Sequence, residues 1–315
     1  MKKLLLITLS VTALAVTALL SCSKDQGLNP ENQDVALSVK AGIMVDPSIM
    51  TKSIITGTTF ANGAVIGVQV LNADGASLYK AGAVTNIPFT LSDAANTPTW
   101  TPDVPFYMNS ASADIFAYFP YDAGVAHDAV FTTIPATIGA SITTGDETDY
   151  MYSSIINNAG AAPAFTMNHA LAQVSFKVYK ENYSGTGEFT KFTIAGGTSV
   201  KYGIGTMAIT GGAISLPSTG ILTRTLDTPV ILGTLVPAVN ATTLTVPTGV
   251  MAIGALTFTF TIDEVVYTTS NAEEVTLAAG SQYIYTILLS GTEVAITSAS
   301  VGDWSPGGTG SLGIN

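Results

Sequence analysis

Apolar side chains alternate with threonine over residues 256–262, and this alternation constrains the fold more than any other feature of the chain. Successive side chains of a β-strand point to opposite faces, so the pattern predicts a half-buried antiparallel strand with one apolar face. Val174, Phe176 and Val178 alternate with polar residues in the same way. Further strand candidates lie at 35–45, 65–71, 113–119, 189–195, 230–236, 273–277, 281–289 and 293–297.

Turn signals separate these strand candidates. They are rich in glycine, asparagine and aspartate, and they lie at 72–75, 184–187, 196–197 and 211–212. Regular short strands between such turns are typical of a β-sandwich or a β-barrel. No convincing amphipathic helix longer than about two turns is visible. The sequence therefore predicts an all-β fold.

Composition excludes several classes of function. Only 10% of the residues are charged and the formal net charge is −11, whereas about 25% of residues are charged in an average soluble protein. With 11 Lys and Arg residues, the chain lacks the cations that a nucleic-acid partner requires. One Cys and two His cannot supply the roughly four ligands of a structural zinc site. We therefore predict no nucleic-acid partner, no metal site and no cofactor.

The N-terminus has the features of an export signal. Lys2 and Lys3 precede an apolar stretch over residues 4–20, and Leu19-Leu20-Ser21-Cys22 resembles the bacterial lipobox, in which the Cys becomes a lipidated mature N-terminus. A short transmembrane anchor is the alternative, although the stretch is marginal for a span of about 20 residues. We expect a signal peptide at 1–21, lipidation of Cys22 with stable anchoring in the outer membrane, and a polar tether at 22–34. The mature chain would carry nine cationic and 22 anionic side chains.

Catalytic chemistry is scarce. His127 lies in a predicted loop and no Gly-x-Ser-x-Gly elbow exists, so a hydrolase triad is not expected. His169 precedes a predicted strand, and we interpret it as a packed structural imidazole that donates to a backbone carbonyl. Residues 203–208 imitate a dinucleotide-binding fingerprint, but a strand and a turn follow where that fingerprint needs a helix. We predict no catalytic residue.

Two further groups have both a structural and a functional interpretation. Asp146, Glu147 and Asp149 could bind calcium weakly, but the EF-hand spacing is missing and a solvated acidic turn is the preferred interpretation. Trp100 and Trp304 could be carbohydrate platforms, and we prefer to place them in two sandwich cores.

Five spaced segments behind the lipobox carry a resemblance to a known family. In chain order they are 59–68 (TFANGAVIGV), 113–121 (ADIFAYFPY), 148–152 (TDYMY), 165–174 (FTMNHALAQV) and 277–285 (LAAGSQYIY), with Trp100 between the first two and Ile296 to Trp304 after the last. The pattern resembles the fimbrillin family of Bacteroidota, the lipoprotein pilins of type V pili. Gly63-Ala64 departs from the family's usual Gly-Asp.

The resemblance implies a fold and a domain organisation. The expected fold is two tandem Greek-key β-sandwich domains of the transthyretin type. A composition break at 157–165 is the best linker candidate, so we place an N-terminal domain at 35–168 and a C-terminal domain at 169–315.

The resemblance also implies assembly by strand donation. A trypsin-like protease would remove an N-terminal strand, and a strand of the next subunit would fill the vacated groove. Our candidate plug strand carries Val35, Leu37, Val39, Ile43 and Val45, all of one parity; the alternative is a permanent edge strand.

The same mode of assembly requires a processing site and a donor strand. Lys52 stands where the family carries an Arg, and it is the candidate cleavage site. The segment from Val294 onward is the candidate donor. The alternative for Lys52 is an ordinary loop lysine in an uncleaved anchor or tip subunit.

The expected function is a structural subunit of a surface pilus that serves cell adhesion. Its partners would be other pilin subunits in a homo- or heteropolymer, the outer membrane through the lipid, and a host or bacterial surface ligand. A surface glycan-binding lipoprotein is the alternative, and it would need exposed aromatic side chains on one face. An enzyme would need converging acid and base groups, which the sequence does not offer.

Overall fold

The computed structural model describes residues 34–43, 55–56, 59–80, 84–92, 97–304 and 309–312. These residues form 25 β-strands and no helix, as the alternation predicts. No helix long and apolar enough to cross a membrane occurs among them.

The first thirteen strands occupy the N-terminal half. They are β1 (Val35–Ala36), β2 (Lys40–Ile43), β3 (Ile55–Thr56), β4 (Thr59–Phe60), β5 (Val65–Asn72), β6 (Ile87–Ser92), β7 (Thr99–Pro102), β8 (Tyr107–Met108), β9 (Ala113–Phe119), β10 (Thr133–Ile138), β11 (Ser141–Thr143), β12 (Met151–Asn158) and β13 (Ala164–His169).

The remaining twelve strands occupy the C-terminal half. They are β14 (Ala172–Glu181), β15 (Glu188–Ala195), β16 (Lys201–Ala208), β17 (Ile214–Ser215), β18 (Ser218–Thr219), β19 (Ile221–Ile231), β20 (Ala241–Thr245), β21 (Thr257–Ile262), β22 (Val265–Ser270), β23 (Ser281–Ser290), β24 (Glu293–Asp303) and β25 (Thr309–Leu312).

A seven-stranded sheet organises the N-terminal half, with the strand order β2-β13-β12-β9-β5-β6-β7. Every residue of its strand β9 is buried. Gly67 on β5 lies against the ring of Tyr118 on β9, and a Cβ atom at this position would overlap that ring. The glycine of the 59–68 segment therefore makes room for an aromatic residue of the 113–121 segment.

Two five-stranded sheets face each other in the C-terminal half as a β-sandwich. Their orders are β11-β19-β15-β21-β22 and β20-β14-β23-β24-β25. Phe176 of one sheet packs edge-to-face against Phe192, Phe258 and Phe260 of the other, with ring centroids 5.1 Å apart in each pair. Aromatic pairs of this geometry add to the free energy of apolar burial, which holds the two sheets together.

Two strands of the N-terminal half pair with the C-terminal half. β10 runs antiparallel to β16, and β11 runs parallel to β19. The chain leaves the seven-stranded sheet after His169 and enters the C-terminal sandwich at Ala172. The domain boundary between 168 and 169 stays a prediction.

Most strand predictions are confirmed, and the alternation around β21 is the clearest case, since its phenylalanines and isoleucine are buried and its threonines are half-buried. Other predictions are wrong. β19 ends at Ile231, so 232–236 is not a strand, because Gly233 and Pro237 interrupt the apolar run. Residues 273–277 make only an isolated bridge between Val275 and Met251.

The linker interpretation of 157–165 is also wrong. This segment joins β12 to β13, which are neighbours in the same sheet. Its small residues and proline mark a turn within one sheet, and composition alone does not separate such a turn from a linker. The predicted strand 35–45 is interrupted as well, since within its described part β1 and β2 are separate strands.

Candidate functional site: the seat of the N-terminal segment

Residues 34–43, here called the N-terminal segment, lie at the edge of the seven-stranded sheet. β2 pairs in parallel with β13, and β1 pairs antiparallel with β8. Between these strands, the N–H of Leu37 donates to the carbonyl of Phe106 at 2.7 Å, and the N–H of Ser38 donates to that of Ala161 at 2.7 Å. The segment therefore closes the edge that β13 would otherwise expose.

Three side chains of the segment are part of the N-terminal core. Leu37 and Val39 are each 3% exposed, and Ile43 is also buried. All three pack in the same apolar cluster as Trp100 and Phe165. Burial of each such side chain contributes roughly 1.5–3 kcal/mol.

Val35 differs from its neighbours of the same parity. It is 57% exposed, so the prediction that it fills the groove with the other residues of the candidate plug strand is wrong. The two-residue strand β1 lies on the surface beside β8, and burial alternates along the segment only from Leu37 onward. Val45 lies outside the described residues, as do Cys22 and Lys52.

Two polar contacts tie the segment to the rest of the half. The Nζ atom of Lys80 lies 2.8 Å from a carboxylate oxygen of Asp34 in a partly exposed ion pair. The indole Nε1 of Trp100 donates to the carbonyl of Ala41 at 3.3 Å. The Trp100 ring packs edge-to-face on Phe60, with centroids 5.2 Å apart. Trp100 is buried, so it offers no exposed platform.

A second cluster lies where the chain passes between the two halves. The Nδ1 atom of His169 lies 2.7 Å from Oδ2 of Asp149, and both residues are 4% exposed. The imidazole stacks on the indole of Trp304, with centroids 3.9 Å apart and planes 10° apart. The expected backbone carbonyl acceptor is therefore wrong, because a carboxylate takes that place.

Glu147, two residues before Asp149, reaches into the C-terminal sandwich. Its Oε1 accepts from Nε of Arg224 at 3.0 Å and from the hydroxyl of Thr243 at 2.8 Å. Arg224 is 0% exposed. Burial lowers the pKa of Arg224 below its ordinary value, and the negative charge of Glu147 acts in the opposite direction.

The acidic segment is thus not a solvated turn. Asp146 is exposed, but Glu147 and Asp149 have buried partners. The spacing of three carboxylates does not indicate which cations approach them in the fold. A signal for Arg224 was present, since it stands between Leu222 and Leu226 at the apolar positions of an alternating strand. An arginine at a core position needs a charged partner.

The other candidate groups of the sequence do not form a site in the structure. His127 is exposed in a loop, and residues 203–208 lie within β16. Among the described residues, no group of three or more His, Cys, Asp or Glu side chains could hold a metal ion. The candidate donor from Val294 onward contains β24, which is held between β23 and β25.

Comparison with known proteins gives the family. The model of the fimbrillin-like family matches residues 51–304. The chain belongs to this family. The match spans both the N-terminal sheet and the C-terminal sandwich, in agreement with the segments that carry the resemblance.

Relatives of this fimbrillin-like chain are known from several Bacteroides species. It is 25% identical over 313 residues to a Bacteroides uniformis protein named "Putative fimbrium subunit Fim1C", covering 95% of this chain and 96% of the relative. A "putative cell adhesion protein" of B. uniformis has a similar crystal structure, with a TM-score of 0.62, 18% identity, and coverage of 86% of this chain and 98% of that one.

A second solved structure extends the likeness in fold. A fimbrial protein of Bacteroides vulgatus is similar with a TM-score of 0.54 and 12% identity, over 87% of this chain and 100% of that one. At such identities, the solved structures establish a shared fold.

Proposed function

We propose that this chain is a structural subunit of a surface fimbria, exported as a lipoprotein on Cys22 and assembled by exchange of an edge strand. Membership of the fimbrillin-like family supports the structural role, and so does the similarity to the B. uniformis fimbrium subunit. This family is one of structural subunits and not of enzymes.

The observation that carries the proposal is the seat of the N-terminal segment. Leu37 and Val39, just before β2, and Ile43, at the end of β2, fill the core, and β2 lies at the edge of the seven-stranded sheet beside β13. Removal of that strand would leave apolar pockets and unpaired backbone groups along β13. An alternating strand from another subunit supplies both kinds of partner, which is the physical basis of β-strand addition.

Cleavage after Lys52 would release residues 22–52 together with the lipid. β2 ends at Ile43 and β3 begins at Ile55, so Lys52 lies between the segment to be released and the first strand to be retained. A trypsin-like protease accepts lysine because its acidic specificity pocket pairs with an ammonium group.

The donor strand in this proposal comes from the residues after Trp304. β24 already has partners on both sides, whereas β25 lies at the edge of this sheet and, among the described residues, pairs with β24 alone. Loss of β25 from its own sheet would break one short pairing, while loss of β24 would break the sheet in two.

A gel of surface material tests this function. We expect an unboiled sample to give a ladder of multimers that collapses to a monomer on boiling. A variant that ends at Trp304 should still reach the surface but give no ladder. A monomer alone in the unboiled wild-type sample would contradict the proposal, and so would a ladder that persists in the truncated variant.

A further inference from the structure

A groove of about 560 Å³ opens on the surface of the N-terminal half, beside the start of the N-terminal segment. Its walls come from separate parts of the chain, and they include Lys80, Asp103, Val104, Tyr107, Tyr121 and His127. Its volume falls within the roughly 300–1,000 Å³ that is usual for sites of small ligands.

The groove presents apolar surface to solvent. Tyr107 is 48% exposed and Val104 is 59% exposed. Tyr121 is half-buried, and its backbone N–H donates to the carbonyl of Val65 at 3.0 Å, which fixes it to the seven-stranded sheet. Tyrosine has an apolar ring and a polar tip, so it suits a ligand that has both kinds of surface.

Hydrogen-bonding groups lie between these apolar side chains. Asp103 lines the groove, and its backbone N–H donates to the carbonyl of Pro88 at 3.2 Å, which holds the residue in place. Burial, followed by the charge of Asp103, raises the pKa of Tyr121, so its hydroxyl remains a donor at neutral pH. His127, an exposed residue, also lines the groove.

The charges of the groove indicate the class of ligand. Lys80 is already paired with Asp34 at 2.8 Å, so no free cation faces the groove from the described residues that line it. Asp103 contributes a negative charge, and the whole chain carries −11. An anionic ligand is therefore disfavoured by local and by long-range repulsion.

We propose that this groove binds a neutral oligosaccharide. The apolar C–H faces of a sugar ring would pack on Tyr107 and Tyr121, and its hydroxyl groups would donate to Asp103 and accept from Tyr121. This assignment uses neither Trp100 nor Trp304, which are both buried. The assignment is made for the chain that retains Asp34, the partner of Lys80, so its test uses the full chain.

Calorimetric titration of the full chain in detergent tests the site. The probes are cellohexaose, maltohexaose and mannohexaose, with a heparin hexasaccharide and tetralysine as charged comparisons. We expect at least one neutral probe to bind, and Tyr107→Ala to weaken it by about three- to tenfold, as expected for the loss of one packed aromatic ring. Asp103→Asn should also weaken binding, because the amide replaces one acceptor oxygen by a donor.

A matched control locates the effect. Tyr202 is a partly exposed tyrosine on β16 in the other half, and Tyr202→Ala should leave the affinity unchanged. Melting temperatures of all three variants establish that they are folded. Failure of all three neutral probes would overturn the proposal. So would preferential binding of heparin or tetralysine, or an affinity that Tyr107→Ala and Asp103→Asn leave unchanged.

Discussion

At the scale of single residues, the pair of His169 and Asp149 links the end of β13 to the loop before β12. Both side chains are buried, and Nε2 of His169 and Oδ1 of Asp149 have no partner among the described residues. Removal of one partner of a buried polar pair destabilises the folded protein, because the other partner stays buried without a hydrogen bond and its desolvation is no longer compensated. The stack on Trp304 extends the same contact to the end of β24.

His169→Gln should therefore destabilise the protein without affecting any metal content. We expect a loss of about 1–3 kcal/mol in the free energy of unfolding, since Asp149 would lose its well-placed buried partner. Urea denaturation measures this loss, and elemental analysis measures bound metal. His127→Gln, in an exposed loop, is the control and should change little. A stoichiometric metal that disappears in His169→Gln would show that the structural interpretation is wrong.

Asp263 gives a prediction about acid stability. Its carboxylate accepts from the backbone N–H groups of Gly187 and Glu188, each at 2.8 Å, and from the hydroxyl of Tyr183 at 2.9 Å. These bonds, those of the backbone first, hold the pKa of Asp263 below its ordinary value. Because the folded pKa is the lower one, the stabilisation is complete above the unfolded pKa of about 3.9 and is lost as the pH falls through the folded pKa.

Asp263→Asn should accordingly lower the melting temperature at neutral pH, and the difference from the wild type should shrink below about pH 4. Melting curves from pH 7 down to pH 2.5 measure this convergence. Asp128→Asn, in the exposed loop that holds His127, serves as the control, and its melting temperature should stay close to that of the wild type at every pH. A difference between Asp263→Asn and the wild type that stays constant down to pH 2.5 would contradict the assignment.

At the scale of elements, the N-terminal segment shows that side chains of one parity are not all buried in the core. Leu37 and Val35 share one parity, yet Leu37 is buried and Val35 is exposed. Leu37→Ala should cost about 2–5 kcal/mol, because it leaves a cavity in the core. Val35→Ala should cost less than about 0.5 kcal/mol. Equal losses for the two variants in urea denaturation would show that the segment does not fill the core as described.

The alternation predicts strands well where one face meets the core and the other meets solvent. β21 is such a strand, and its alternating pattern is the one that the structure has. In the central strand β14, however, Gln173 and Ser175 on the polar face are buried as well, and the side chains of Gln282 and Thr242 hydrogen-bond to Ser175. Alternation in the sequence predicts which side chains share a face of a strand, but it does not predict whether another part of the protein covers the polar face.

The site was only partly predictable for a related reason. The candidate plug strand followed from composition and parity, and its three buried residues are among those named. The partners of Glu147 and Asp149 are distant in sequence, at Arg224 and His169, so no local pattern joins them. The groove around Tyr107 brings together segments of 34–127 that no spacing rule connects.

At the scale of the whole molecule, the loop of Glu147 and Asp149 and the strands β10 and β11 join the two halves. Arg224 also donates through Nη1 to the carbonyl of Gly139 at 3.1 Å, which lies between β10 and β11. The buried guanidinium of Arg224 therefore connects the loop of Glu147 and the turn between β10 and β11 to the C-terminal sandwich. The halves should unfold together as long as this contact is intact.

Arg224→Met should cost about 3–5 kcal/mol, because it leaves Glu147 without its buried counter-charge. The double variant Arg224→Met with Glu147→Gln should regain part of that loss, since no unpaired charge remains. Lys80→Met breaks the exposed pair with Asp34 and is the matched control, with an expected cost of at most about 1 kcal/mol. Similar losses for Arg224→Met and Lys80→Met in calorimetry would contradict the role of the buried pair.

We propose that the N-terminal segment is removed on assembly and that a strand of a neighbouring subunit takes its place. N-terminal sequencing of the multimers purified from the cell surface decides whether this removal occurs. We expect the chains in the polymer to begin at Ser53, with Cys22 and its lipid present only in the unassembled precursor. Polymers built from chains that still begin at a lipidated Cys22 would contradict it, because the N-terminal segment would then remain in every subunit.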